Sequence, residues 1–408
     1  MLIGCSFYAS TALASEPSPH RFSSNMNVLG NYQSSGASWL SGGLGRFAYG
    51  EESYRPSLAF ELNAEYRYRP LSSLEFKAYV QAQESNNSRS VSQVGIVELA
   101  ARYSYDINFN QQVRVNVGQF FLPTSMENID QFWESPYTLS FSSLNSWIGE
   151  EFRPIGLDLN YRHSFDDGNR LSAAVTPFWG NDSMGALLAY RGWSYGRQRT
   201  AYNDVLSVPK LMSLSDSGPF AGQRDDGTKP FGHDLDGKPG YALRANYLTE
   251  RLSLNLTWVD NMGDTTLIGG EYAWRTKFSI AGASWFVTDS FEVLAEASSG
   301  SSTMGAAPGV DISFYSAYLM ASYRFSEYRL SARYDQFGID DRDAMDQENN
   351  ELGRSYTLAL MWAGEESQFS VGAEILYLDS KRTRFLDSGD TESDTESVSL
   401  GLLVQYQF

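Results

Sequence analysis

The sequence has few of the residues that several kinds of functional site require. One cysteine and three histidines exclude a disulfide framework, and no CxxC or Cys/His spacing typical of zinc is present. Lysine and arginine number 31 against 49 aspartates and glutamates, and the net charge of −18 argues against a nucleic-acid-binding protein, which needs a basic face. Mean hydropathy is −0.35. The chain contains no uncharged apolar run of about 18 residues, so no transmembrane helix is predicted.

What the chain does have is aromatic residues, at 14%, and many short segments in which apolar and polar residues alternate. Alternation with a period of two places every second side chain on the same face of a β-strand. Such a chain is either a soluble β-rich protein or a membrane protein whose apolar residues are spread along strands. A clear example is the segment in which Leu58, Phe60, Leu62 and Ala64 interleave with Glu61, Asn63, Glu65 and Arg67.

The pattern predicts sixteen strands, which short turns and long loops join in alternation. An even number of strands, with turns at one end and loops at the other, is typical of a transmembrane antiparallel β-barrel with short periplasmic turns and long extracellular loops. Closing the sheet into a barrel leaves no edge strand, so that every backbone N–H and C=O in the lipid is hydrogen-bonded, as a membrane-spanning sheet requires. We therefore expect one barrel domain over 15–408 in the bacterial outer membrane. The strands are predicted near 22–34, 56–69, 74–85, 93–107, 112–124, 153–165, 170–180, 240–249, 251–260, 271–287, 291–303, 311–326, 328–339, 354–364, 368–381 and 395–408.

Both ends of the chain carry features of an exported barrel. Residues 1–14 are apolar or small and end in Ala-Leu-Ala, which predicts a signal peptide, although a basic start is missing. Lipidation at Cys5 is the alternative. At the other end, alternating apolar residues lead to Tyr406 and the terminal Phe408. A terminal aromatic strand of this kind resembles the signal that the β-barrel assembly machinery of the outer membrane recognises.

If the apolar alternates face lipid, the polar alternates face the barrel interior. A ladder of inward bases would concentrate anions in the pore. The alternative is that these bases pair with inward acids and only line a wet lumen. The bases predicted to line the pore and form an anion path are Arg102, Arg114, Arg244, Arg275, Lys277, Arg329 and Arg333.

Two loops are long enough to have roles of their own. Residues 125–152 are rich in aromatic residues and are expected to fold inward as a constriction, formed by Phe132, Trp133, Tyr137, Phe141 and Trp147. Residues 181–239 are expected to form a mouth or lid. Two further long loops, at 340–353 and 382–394, are acidic, which indicates either a solvated surface or cation-bridged contact with outer-membrane lipid and lipopolysaccharide. The stretch 233–237 lacks the spacing of a calcium loop, so neither a metal nor a cofactor is predicted.

Several stretches resemble the phosphate-selective porin O and P family of bacterial outer-membrane channels. They are Val117–Glu127 (VGQFFLPTSME), Phe152–Gly156 (FRPIG), Leu330–Phe337 (LSARYDQF) and Thr357–Trp362 (TLALMW). The resemblance implies a sixteen-stranded barrel that assembles as a homotrimer and passes small solutes or ions, with a phosphate-like anion preference.

An enzyme is not expected, because the three histidines at 20, 163 and 233 are poorly placed for a Ser–His pair on a barrel wall. The sequence instead indicates a porin that passes small hydrophilic solutes by passive diffusion. The alternative is a plugged structural or adhesive barrel without transport.

Overall fold

The computed structural model describes residues 18–34, 36, 38, 40, 43–49, 55–85, 93–202, 204–228, 234–306, 309–343, 345, 349–364 and 367–408. The predicted signal segment 1–14 and the alternative lipidation site at Cys5 lie outside these residues.

Sixteen long strands form one closed antiparallel barrel, which confirms the predicted fold class and strand number. Each strand pairs with its neighbours in the chain, and β1 closes the barrel against β18 with Val28 opposite Val404. A short hairpin of β10 and β11 lies outside the barrel sheet. The strands are β1 (His20–Gln33), β2 (Ser57–Leu71), β3 (Leu74–Ser85), β4 (Val94–Asn108), β5 (Gln111–Gln119), β6 (Ile155–Ser164), β7 (Arg170–Trp179), β8 (Gly240–Leu248), β9 (Leu252–Asp260), β10 (Leu267–Ile268), β11 (Glu271–Tyr272), β12 (Trp274–Phe286), β13 (Phe291–Met304), β14 (Val310–Phe325), β15 (Tyr328–Asp341), β16 (Glu351–Ala363), β17 (Phe369–Phe385) and β18 (Thr391–Gln407).

The end of β5 is the point at which the chain leaves the wall and enters the barrel. The strand was expected to continue to residue 124, but it ends at Gln119. Gly118 has a φ of +130°, and a Cβ there would lie 2.2 Å from the carbonyl oxygen of Leu99. Only glycine permits this approach of the two backbones, and Pro123 then lacks the N–H that a continued strand would need.

The outer wall carries the apolar alternates over most of its area. Large exposed side chains such as Leu62, Leu99, Leu256 and Leu402 point away from the barrel. Exposed aromatic residues lie near the turn ends of several strands, as in the girdle of a membrane barrel; they include Tyr66, Tyr103, Tyr105, Tyr323, Phe325 and Phe408. In the described residues, the helices are too short or too polar to cross a bilayer.

Two long connections fold into the barrel rather than over it, and residues 44–49 between β1 and β2 are buried there as well. The first contains α1 (Ser143–Glu151), which begins where the Ser142 side chain accepts a hydrogen bond from the Asn145 N–H at 3.2 Å. All nine residues of α1 are buried. The second contains α2 (Ala186–Tyr190), which is also wholly buried, and α3 (Ala221–Asp226). We call residues 120–154 and 180–228 together the inserted loops.

The loop half of the barrel is filled by a buried apolar cluster shared between the inserted loops and the wall. The ring of Trp147 lies 5.0 Å from that of Phe278 and 5.2 Å from that of Phe314, both edge to face. The indole N–H of Trp193 donates to the carbonyl oxygen of Gly338 at 3.2 Å. Because these wall residues point inward, much of the inner wall near the loop end is apolar. Glu351, Arg382 and Arg384 are buried there too and form hydrogen bonds with residues 190–193 of the inserted loop.

Candidate functional site: the barrel interior

The polar part of the interior contains a cavity of about 560 Å³ near the turns, which we call the turn-end cavity. Strands β2 to β8 form its wall, and residues 120–133 of the inserted loops form its ceiling. The charged residues that line it are the bases Arg67, Lys77, Arg102, Arg114, Arg162 and Arg244 and the acids Glu65, Glu75, Glu98, Asp130 and Asp158.

Three of the predicted pore-lining bases lie in this cavity. Arg244 donates to the carboxylate of Asp158 at 2.5 Å and is buried, so its charge is neutralised locally. Arg102 lies 3.6 Å from the carboxylate of Glu75. Arg114 donates to the amide oxygen of Gln112 at 3.2 Å. Two of the three bases are therefore paired with acids, as expected for side chains that only line a wet lumen. The third, Arg114, has a neutral partner.

The prediction that Arg275 and Lys277 line the pore is wrong in its geometry. Along β12 the buried residues are Trp274, Thr276 and Phe278, whereas the two bases between them are exposed on the outer face. Arg275 pairs there with Asp260 at 3.2 Å. The reason is that the apolar alternates of this part of β12 contact the inserted loops instead of lipid.

Arg329 and Arg333 face inward on β15, but they contact an inserted loop. The guanidinium of Arg329 lies 4.7 Å from the ring centre of Tyr137. Arg333 is buried, and it donates to the carboxylate of Glu127 at 3.2 Å and to that of Asp335 at 2.9 Å. Both bases therefore hold the loop against the wall.

The five aromatic residues predicted for the constriction all lie inside the barrel and are buried. Phe132 and Trp133 both have positive φ angles, 62° and 57°, a strained conformation for side chains of this size. Packing holds them there, since Trp133 stacks on Phe121 at 4.5 Å and meets Phe141 edge to face at 5.2 Å. This rigid aromatic block forms part of the ceiling of the turn-end cavity.

A buried polar cluster that sequence reasoning missed joins the two inserted loops to the wall. Arg199 donates to Glu61 on β2 at 2.8 Å, and Arg197 donates to Glu134 at 3.0 Å. Asn27 on β1 also donates to Glu134, at 2.8 Å. The two arginines were visible in the sequence only as charges of a long loop, because their partners lie far away in the chain.

One group of carboxylates has the spacing of a cation site. Single oxygens of Asp182, Asp234 and Asp236 lie within 4.8 Å of one another. Burial raises the pKa of Asp182 to about 7, and the charges of the other two act in the same direction. The ammonium of Lys238 lies 3.9 Å from Asp236 and already supplies one positive charge to the group. Oxygen ligands of this kind suit calcium or magnesium, but the acids alone assign no metal.

The predicted assembly signal lies at the turn end of the closing strand pair. The rings of Tyr406 and Phe408 meet edge to face at 4.8 Å, and the backbone N–H of Phe408 donates to Ser24 on β1. Recognition by the assembly machinery stays a prediction.

Solved structures of outer-membrane proteins share this architecture. In-vitro folded OmpT, an outer membrane protein of Vibrio cholerae, is 10% identical and has a TM-score of 0.55 over 96% of this chain and 99% of its own. An anion-selective porin from Comamonas acidovorans is 12% identical, with a TM-score of 0.52 over 95% of this chain and 99% of its own. The chain has the fold of bacterial outer-membrane barrels.

With its closed sheet and apolar outer wall, this barrel is a protein of the outer membrane. At such low identities the likeness shows the fold alone. No protein-family model and no curated protein matches the sequence. The porin-type barrel implied by the sequence resemblance thus agrees with the fold, whereas membership of the phosphate-selective family stays a prediction.

Proposed function

We propose that the protein is an outer-membrane channel for passive diffusion of small hydrophilic solutes, and that the inserted loops gate it. The observation that carries this proposal is the turn-end cavity, a charged space of about 560 Å³ inside a closed barrel of sixteen strands. A barrel of this size encloses more space than its own wall side chains can fill. Charged side chains around such a path select solutes by their charge.

The gate is formed by α1 and its contacts with the wall. In the described residues the loop half of the interior is occupied by buried side chains, so a solute needs the inserted loops to shift before it reaches the cavity. The beginning of α1 is held by polar contacts, which water can replace. The hydroxyl of Ser143 lies 2.8 Å from that of Ser316 on β14, and the N–H of Ser143 donates to Asp335 at 3.1 Å.

The finer proposals concern charge preference and assembly. The six bases of the cavity slightly outnumber its five acids, which favours a weak preference for anions, of which phosphate is one. The motifs that resemble the phosphate-selective porins support the same direction. A homotrimer is proposed on the same resemblance. OmpT of Vibrio cholerae has been solved in a trimer form, with a TM-score of 0.51 at 10% identity over 95% of this chain and 99% of its own.

A disulfide across the gate tests the channel directly. Ser143→Cys with Ser316→Cys would lock α1 to β14, in a chain whose Cys5 is replaced by serine. We expect the unlocked protein to give stable current steps in a planar bilayer, with a reversal potential on the anion side in a KCl gradient. The oxidised double variant should lose these steps and regain them with dithiothreitol. The Ser143→Cys single variant is the matched control and should conduct in both conditions.

The second candidate is a permanently plugged barrel with a structural or adhesive role. The observation that favours it is the apolar cluster, because separating Trp147 and Trp193 from the wall exposes large apolar surfaces to water. If neither the unlocked protein nor the reduced double variant conducts, the channel proposal is wrong and this candidate takes its place.

A further inference from the structure

Three arginines form a row on one wall of the turn-end cavity. Arg102, Arg114 and Arg162 lie on the neighbouring strands β4, β5 and β6, and all three line the cavity. Arg114 stands opposite Ser104 on one side and Asn160 on the other. Arg102 and Arg162 are each two residues from those positions. The three arginines are therefore diagonal neighbours, with Cα atoms roughly 7–8 Å apart at each step.

The charge of this row is only partly balanced. Arg102 lies 3.6 Å from Glu75 and donates to the amide oxygen of Asn116 at 2.8 Å. Among the described residues, Arg114 and Arg162 have no acidic partner within ion-pair distance. The Nε of Arg114 is buried without a hydrogen-bond acceptor. A buried donor without an acceptor destabilises the site. An anion in the cavity would offset the remaining positive charge of Arg114 and Arg162.

Part of the ceiling of the cavity is apolar, beside the polar residues Ser125, Asn128, Asp130 and Gln131. Phe121, Pro123 and Ile129 of the inserted loop line this part. Ile129 is 59% exposed although it lies inside the barrel, so its side chain is open to the cavity. The ring of Phe121 is held by Trp133 at 4.5 Å, which makes the ceiling a fixed surface.

We propose that the turn-end cavity binds organic anions that combine one carboxylate with a compact apolar group, as aromatic carboxylates do. Guanidinium groups match the planar carboxylate with paired hydrogen bonds. The apolar group would then lie against Ile129 and Phe121 and remove their surface from water. Inorganic phosphate could satisfy the arginines, but it would leave the ceiling without a contact.

This inference rests on the proposed function, since it names the solute class of the same cavity. Binding can nevertheless be measured without conductance. If benzoate binds and no current is seen, the channel fails and the site stands. If current is seen and benzoate binds no better than acetate, the site fails and the channel stands.

The first experiment compares four probes by isothermal titration calorimetry on the refolded full chain in detergent micelles, with protein-free micelles subtracted. The probes are benzoate, acetate, benzyl alcohol and inorganic phosphate. We expect benzoate to bind about tenfold more tightly than acetate, because only benzoate buries a ring. Benzyl alcohol should bind at least as weakly as acetate, because it lacks the charge. Equal affinities for benzoate and acetate, or tighter binding of phosphate than of benzoate, would overturn the proposal.

Two substitutions then separate the two halves of the site. Arg114→Gln should weaken benzoate about tenfold while benzyl alcohol is unchanged, because a charged hydrogen bond is lost. Ile129→Ser should reduce the preference for benzoate over acetate without weakening acetate. The matched control is Arg251→Gln, an arginine at the same end of the barrel that pairs with Asp289 at 3.1 Å outside the cavity. If all three variants bind benzoate as the unmodified protein does, the assignment is wrong.

Discussion

Replacing Arg333 by methionine tests whether this residue anchors the inserted loop or belongs to an anion path. Its side chain is 0% exposed. The guanidinium donates to the carboxylates of Glu127 and Asp335 at 3.2 and 2.9 Å. It also donates to the carbonyl oxygen of Ser140 at 2.8 Å and to that of Phe141 at 3.2 Å. One side chain thus joins β15 to two separate stretches of the inserted loop.

The expected cost follows from this burial. Arg333→Met leaves two buried carboxylates without their cation, and breaking a buried pair in this way costs about 3–5 kcal/mol. The matched control is Arg354→Met on the neighbouring strand. Arg354 faces outward and pairs with Asp379 at 2.8 Å, with the two side chains 56% and 38% exposed. Such an exposed pair contributes at most about 1 kcal/mol.

Tryptophan fluorescence during urea unfolding in detergent measures the difference. Trp147 and Trp193 are both buried in the inserted loops, so their emission shifts to the red when the loops leave the barrel. We expect Arg333→Met to show this shift at lower urea while the β-sheet circular dichroism persists, and Arg354→Met to follow the unmodified protein. The anchoring argument is refuted if Arg333→Met unfolds like the control and changes only the reversal potential.

Arg275→Glu combined with Lys277→Glu should leave ion selectivity unchanged in planar bilayers, because both side chains face outward; a shift toward cations would return them to the pore. Deleting Phe408 should lower the yield of folded barrel in the outer membrane, since the closing strand loses its terminal contact with β1; an equal yield would contradict the assembly signal. Glu151→Gln should destabilise the inserted loops by about 1–3 kcal/mol, because both carboxylate oxygens accept hydrogen bonds and an amide nitrogen cannot; equal rates of limited proteolysis would argue against this. Burial raises the pKa of Asp182 to about 7 in the folded protein. The neutral carboxyl therefore contributes its full share to the free energy of unfolding below about pH 4, and this contribution is lost as the pH rises through about 7. Asp182→Asn should therefore flatten the fall in melting temperature over that range, and parallel curves for the two proteins would contradict the pKa shift.

The positions of the strands could be predicted from the sequence, because each strand is set by the alternation of its own residues. β14 was expected at 311–326 and spans Val310–Phe325, since each of its residues alternates between two different environments. The inward fold of residues 125–152 was predictable for a similar reason, because its aromatic residues are too many for a solvated loop. The early end of β5 at Gln119 depends on the approach of another strand to Gly118, for which the sequence has no local signal.

Which face of each strand points into the barrel could not be predicted in the same way. Alternation separates two faces of a strand but does not say which one points inward. On β12 the apolar face with Phe278 and Ile280 was assigned to lipid, although it packs on the inserted loops. The contact of Arg199 with Glu61 joins residues 138 positions apart, and nothing near either residue in the sequence indicates the other.

The length of the strands explains why, near the loop end, the apolar face of a strand can point inward and the polar face outward. β17 and β18 have 17 residues each, roughly 56 Å of strand. At a tilt of about 40° they rise roughly 43 Å, well beyond an apolar band of about 25 Å. The wall beyond the band faces water, which is why Arg354 and Lys381 point outward there. With water outside and the inserted loops inside, this part of the barrel is built like a soluble protein. In the proposed channel, charge selection would then be confined to the turn half, and substitutions meant to alter it belong on the inner faces of β2 to β8.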